Sequence, residues 1–210
     1  MARESGMRYV IAVAGPIGGG KTSLVKGIAN YLDDATAIHC DSYESLTAES
    51  IANVMRWMQS GANTDEIIIP GLPHALENLK LGANVIDPLT GMEIASRKYI
   101  IFETNFGREH RATARYIDLL IWIEVPLDIA LARNVKAFIN TFLERYGKDI
   151  YKDCLLWLRG YIDNYLKVVR DLLRIQRERV RATADIIIDG QKEIETIIRH
   201  AAQEIVLRLP

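Results

Sequence analysis

The sequence predicts an α/β fold on a five-stranded parallel sheet. Three observations carry this: five short apolar runs, amphipathic helical patterns between them, and a glycine-rich turn joining the first run to the first helix. The runs are Tyr9 to Ala14, Thr36 to Cys40, Tyr99 to Phe102, Leu119 to Ile123 and Ile186 to Ile188. They are near-continuous rather than alternating, the pattern of strands covered on both faces. Between them, Lys21 to Leu32 gathers Leu24, Val25, Ile28, Tyr31 and Leu32 on one helical face, and Glu49 to Gln59 does the same with Ile51, Val54, Met55 and Met58. Strands that alternate with helices imply right-handed crossovers and a parallel sheet.

Residues 82–98 break that rhythm. Val85 and Ile86, a turn through Asp87, Pro88 and Gly91, and then Ile94 predict a small hairpin, expected as an insertion near the substrate. From Asp149 to about Arg181 one long helical stretch carries Leu155, Leu158, Ile162, Leu166, Val169 and Leu173 at spacings of three and four. Arg170, Arg174, Arg177, Arg179 and Arg181 follow, interleaved with Asp171 and Glu178, as on a solvated face with pairs one turn apart.

With 210 residues, 49% of them hydrophobic and 25% charged, the chain has the composition of a single globular domain spanning 1–210. A net charge of −1 gives no global field for nucleic acid or an anionic membrane, so neither is an expected partner and any anion must be caught locally. Cys40 and Cys154 have no ligand spacing or disulfide framework around them, which points to a reducing, cytoplasmic setting. The charged N-terminus lacks the apolar core of a signal peptide, and no apolar run approaches the ~20 residues of a membrane span.

The local anion site is explicit. Gly15 is followed, after four intervening residues, by Gly20, Lys21 and Thr22, between an apolar strand and an amphipathic helix. This is the P-loop pattern in its required context. Phosphate oxygens crowd against backbone N–H groups there, so side chains must be absent where the loop wraps them, and Gly15, Gly18, Gly19 and Gly20 supply the clearance. The expected ATP-binding set is Gly15, Pro16, Ile17, Gly18, Gly19, Gly20, Lys21, Thr22 and Ser23, with Lys21 on the β- and γ-phosphates and the Thr22 hydroxyl on Mg2+.

What reaches the γ-phosphate decides the chemistry. Asp41 follows one apolar run and Glu103 another, so both are expected at the carboxyl ends of strands, where open parallel sheets bind ligands. An acceptor hydroxyl needs a carboxylate to take its proton, a role assigned to Asp41, with Glu103 behind the metal or touching the acceptor. Asp41 also suits a helix N-cap or turn, and Glu103 a cap.

These residues resemble the uridine kinase and phosphoribulokinase group of P-loop kinases over most of the chain. GPIGGGKT at 15–22 is similar to that family's phosphate loop, and HCDSYES at 39–45 to its strand-end DSYY segment, whose aspartate serves as base and magnesium partner. IIFET at 100–104, IDLLIWIEVPLDIALAR at 117–133 and YIDNYLKVVRD with ATADIIIDG at 182–190 resemble its later strands and closing helix. The resemblance implies a nucleoside monophosphate kinase-like three-layer sandwich, with a helical lid at about 133–150 and Arg133 toward the nucleotide. It also implies a uridine-like nucleoside as acceptor and hints at a homo-oligomer through the long helix. Two departures stand out. Arg133 is followed by Asn134, Lys136, Ala137 and Phe138 rather than by an arginine cluster, and Pro70, Pro73 and His74 replace a clean uridine-reading segment.

Arg108, Arg111 and Arg115 could clamp an anionic substrate, or could end a helix in solvent. Tyr43 could line the pocket or cap the core, and His74 and His110 suit surface or capping positions. A GTPase would need NKxD and DxxG strings, and neither occurs. The expected activity is transfer of the ATP γ-phosphoryl group to a small-molecule hydroxyl, with a nucleotide-binding regulator as the alternative.

Overall fold

The computed structural model describes residues 6–39, 43, 50–145 and 150–210. A five-stranded parallel sheet has the order β2-β5-β1-β6-β7, from β1 (Tyr9–Ala14), β2 (Ala35–Ile38), β5 (Tyr99–Thr104), β6 (Leu119–Glu124) and β7 (Ile186–Asp189). Between β2 and β5, β3 (Val85–Ile86) and β4 (Glu93–Ile94) pair antiparallel as a separate ribbon. Asp87 closes that ribbon's turn by accepting from the backbone N–H groups of Leu89 and Thr90.

Continuous apolar strands are explained by two cores, one on each face. Val10, Ala12 and Ala14 point into one with Ile100, Phe102, Leu120 and Trp122, and Ile11 and Val13 into the other with Ile101, Ile121 and Ile123. Helices α1 (Lys21–Tyr31) and α8 (Ile194–Arg208) cover the second core with Leu24, Val25, Ile28, Ile197, Ala201 and Ile205. Helices α3 (Leu72–Leu81) and α7 (Arg170–Ala182) cover the first with Leu72, Leu76, Leu79 and Val180. This gives helix, sheet and helix in three layers.

The strands run past their last apolar residues, because ladder hydrogen bonds continue while side chains turn polar: β5 ends in Glu103–Thr104, β6 in Glu124 and β7 in Asp189. Strand β2 starts one residue earlier than expected and ends at Ile38, and Cys40 lies outside the described residues. The first helix matches its predicted span, but Tyr31 is exposed. Helix α2 (Ile51–Gln59) is capped by Ser50, whose hydroxyl accepts from Asn53 N–H, and buries none of its residues. The short α4 is Arg111–Ala114.

The long helical stretch is present, but its pitch is not uniform. It is α6 (Tyr151–Asn164), a π turn at Tyr165–Val169, and then α7. The predicted stripe is the buried face only at its end: Leu173 is buried, but Leu155 is 65% and Leu166 56% exposed, and Tyr165 and Val168 are buried in their place. The wide turn shifts the helical phase, so a spacing of 3.6 carried across it points to the wrong side. Helix α6 is instead held to α5 (Leu127–Arg145) by rings: Phe138 stacks on Trp157 at 4.0 Å, and Trp157 on Tyr161 at 5.5 Å. Residues 133–145 of the predicted lid are thus the second part of α5, and 146–149 lie outside the described residues. Among the described residues no helix is long and apolar enough to cross a membrane.

Candidate nucleotide site

Strand β1 delivers the glycine loop to the carboxyl edge of the sheet, and α1 carries the chain away. Gly20 caps α1 with φ 94° and Gly18 has φ 77°, conformations that L side chains rarely adopt. At Gly18 a side chain is also excluded by space, since a Cβ would run into the carbonyl oxygen of Ala130 on α5. The first turn of α1 has no acidic residue, so its positive end is not neutralised from within.

Lys21, the first residue of α1, folds back over the loop, with Nζ donating to the carbonyl oxygens of Gly15 at 3.0 Å and Pro16 at 3.3 Å. Register places Val13 beside Glu103 and Ala14 beside Thr104, so β5 brings its last residues to the mouth of the loop. There the Thr22 hydroxyl donates to Glu103 Oε2 at 2.8 Å. Glu103 is 6% exposed, and its other oxygen lies 3.8 Å from His39 Nδ1, just past β2. Asp41, two residues beyond His39, lies outside the described residues.

A cleft of ≈ 620 Å³ opens here between the loop, the end of β5 and α5. Pro16, Ile17, Gly18, Gly20, Lys21, Thr22 and Ser23 line it, with Glu103 and Arg133. Arg133 donates to the Gly190 carbonyl at 2.9 Å, bridging α5 to the loop after β7. Asn134 lines the same cleft and donates to the Tyr161 hydroxyl at 2.6 Å. Hydroxyl and carboxylate oxygens on Thr22 and Glu103 form the hard donor set that suits Mg2+, and the open space at Gly20, the N-cap of α1, suits a phosphate chain.

Other predicted residues are placed elsewhere. Arg108 donates to Asp185 Oδ2 and to the Thr183 carbonyl, both at 2.6 Å. Asp185 also accepts from Leu120 N–H, at the amino edge of the sheet, so Arg108 is tied to the edge opposite the phosphate loop. Arg111 pairs with Asp65 at 3.2 Å, its side chain 90% exposed, and Arg115 lies over the Tyr116 ring. The three do not converge. Tyr43 is packed in the first core near Gly71, the capping alternative rather than the pocket. His74 bonds Asn78 on α3, while His110 is buried between Thr113 and the Ile67 carbonyl.

Several groups at this edge had no sequence signal of their own. Glu124, ending β6, accepts from Arg177, Arg181 and the Trp122 indole. Burial pushes its pKa up, but the hydrogen bonds from Arg177 and Arg181, with Arg177's charge, outweigh that and hold it below the usual carboxylate value. Gln176 on α7 reaches both the Asn105 carbonyl and the Gly15 carbonyl. His39 was visible beside Asp41 in the HCDSY segment, yet only the adjacency of β2 and β5 brings it to Glu103.

No protein-family model matches the chain, and no curated protein matches it. Solved structures do. A structure described as "a possible uridine kinase" from Bacillus stearothermophilus is 14% identical with a TM-score of 0.51, covering 90% of this chain and 92% of its own. A gluconokinase from Sinorhizobium meliloti 1021 is 16% identical with a TM-score of 0.51, over 97% of this chain and 94% of its own. A sugar kinase from Janibacter sp. HTCC2649 is 18% identical with a TM-score of 0.50, over 93% of each. At such identities the likeness concerns architecture, and together with the loop, the parallel sheet and its strand order it establishes that this chain has the P-loop kinase fold.

Proposed function

We propose that the chain is a small-metabolite kinase that transfers the γ-phosphoryl group of ATP to a hydroxyl, with a uridine-like nucleoside as the leading acceptor. The observation that supports this most is the buried Glu103 carboxylate hydrogen-bonded to the Thr22 hydroxyl at the mouth of the glycine loop. A simple phosphate-binding turn has no use for a carboxylate at that point, since it would repel the anion unless a cation stood between them.

The glycine loop and the positive end of α1 would hold the phosphates, and Lys21 would exchange its two loop carbonyls for β- and γ-phosphate oxygens. Thr22 and Glu103 would hold Mg2+, directly or through its waters, and when bound that ion supplies charge neutralisation on the phosphates. Asp41, assigned from sequence, would take the acceptor hydroxyl proton as that oxygen bonds to the γ-phosphorus and the bond to the ADP oxygen breaks. Arg133, at the rim beside Gly190, is suited to the base or the phosphates. The acceptor preference rests on the sequence resemblance, and the gluconokinase and sugar kinase among the structural neighbours make sugar acids and sugars the next acceptors to examine.

The test is ADP release from MgATP against nucleosides, gluconate and sugars, with Asp41→Asn as control. The expected result is release stimulated by one acceptor class, with turnover in the variant reduced by about 10² or more at ATP affinity within a few-fold. Binding of ATP with no acceptor-stimulated release would favour a nucleotide-binding regulator.

A further inference from the structure

The Gly15 carbonyl oxygen serves two donors from distant parts of the chain. Lys21 Nζ reaches it at 3.0 Å, and Gln176 Nε2, 161 residues along on α7, at 3.4 Å. The same Gln176 amide donates to the Asn105 carbonyl at 2.7 Å, so one side chain spans the start of the glycine loop and the turn just after β5. Its helix is held on either side: Leu173 and Val180 are buried, Arg177 and Arg181 grip Glu124, and Arg179 donates to the carbonyls of Gly61 and Ala62. Gln176 therefore projects from a fixed support rather than a loose surface.

We infer that Gln176 is a positioning residue that holds the Gly15 carbonyl when Lys21 turns toward the nucleotide. The inference rests on the reading of Lys21 as the phosphate-binding lysine. A lysine ammonium has three N–H donors, too few to give one each to the Gly15 and Pro16 carbonyls and to both the β- and γ-phosphates, so binding weakens its hold on the loop carbonyls, Gly15 among them. An acceptor left unsatisfied in a part-buried site costs free energy, and that cost would be subtracted from nucleotide affinity. Gln176 is already within range and has only to shorten one bond. Its second bond, to Asn105, fixes the distance between the loop and the end of β5 that carries Glu103, so the metal-side carboxylate and the phosphate cradle keep their spacing through the exchange.

Sharing predicts coupling. In the free protein either donor alone satisfies Gly15, so Gln176→Met and Lys21→Met should each lower Tm slightly, while the double variant should lose about 3 °C or more beyond their sum. Gln176→Met should also weaken MgATP binding about tenfold, roughly 1.4 kcal/mol. Gln176→Glu, which turns acceptors toward two carbonyls, should weaken it at least as much. A merely structural glutamine gives additive Tm losses and unchanged MgATP affinity, and either result overturns the inference, as does wild-type affinity in the Glu variant. If the coupling in Tm appears but no acceptor is ever phosphorylated, the shared carbonyl stands and the kinase reading falls.

Discussion

The two edges of the sheet both carry carboxylates, but they use them differently. At the amino edge Asp118 accepts from Val10 N–H at 2.8 Å and from Lys80 at 2.7 Å, and Asp185 accepts from Leu120 N–H and from Arg108. Each caps a strand start and pairs with one cation. At the carboxyl edge Glu103 accepts from a threonine hydroxyl and Lys21 donates to backbone carbonyls, contacts that a charged ligand outcompetes. The difference separates charge used to fasten the fold from charge kept exchangeable. Glu124 is the informative exception, because it sits at the carboxyl edge yet is saturated by two arginines and an indole, which marks it as part of the support for α7.

Breaking the exchangeable edge should have the largest effect on function and little on stability. Lys21→Ala is expected to reduce kcat/KM by at least about 10² and to weaken MgATP binding in calorimetry, with Tm nearly unchanged. Asp185→Ala should do the converse. It strands Arg108 and the Leu120 N–H and is expected to cost ~2 kcal/mol in urea unfolding while leaving nucleotide affinity intact. If Asp185→Ala weakens ATP binding with unchanged stability, the contrast between the edges collapses.

Glu124 sharpens the contrast through pH. Its folded pKa lies below the unfolded value, so its contribution is complete above the unfolded carboxylate range and is lost as pH falls through the folded pKa. Glu124→Gln should flatten the acid limb of the stability-pH curve and change little near neutrality beyond a constant offset, and a curve parallel to wild type would remove Glu124 from that role. The smallest effect is expected at Arg111, whose exposed pair with Asp65 should contribute under about 0.5 kcal/mol, within error of zero after Arg111→Ala in the same unfolding assay.

Legibility followed sequence locality. The central strands β5, β1 and β6 are legible because burial on both faces leaves an uninterrupted apolar run, and the glycine loop because eight consecutive residues contain the whole device. The arginines after β5 misled because their density suggested a clamp, while the partner that fixes Arg108 is 77 residues away and becomes its neighbour only when β6 and β7 pair. Gln176 was one polar residue in an arginine-rich helix, and nothing in its surroundings along the chain announces that it meets Gly15. The long helix itself is legible, but its buried face is not, since periodicity assumes a constant pitch and Tyr165–Val169 does not keep it.

That wide turn also decides how the two halves of the long helix face one another. A π turn is in effect one extra residue threaded into an α-helix, and each α-helical residue is worth about 100° of rotation. Removing one residue between Tyr165 and Val169 would restore ordinary pitch with the faces on either side still aligned, whereas tightening the turn with no residue removed would swing everything upstream by about that angle relative to α7. Tyr161 would turn away from Asn134, Trp157 from Phe138, and the pair of helices beside the cleft would lose its alignment although no contacting side chain had been altered.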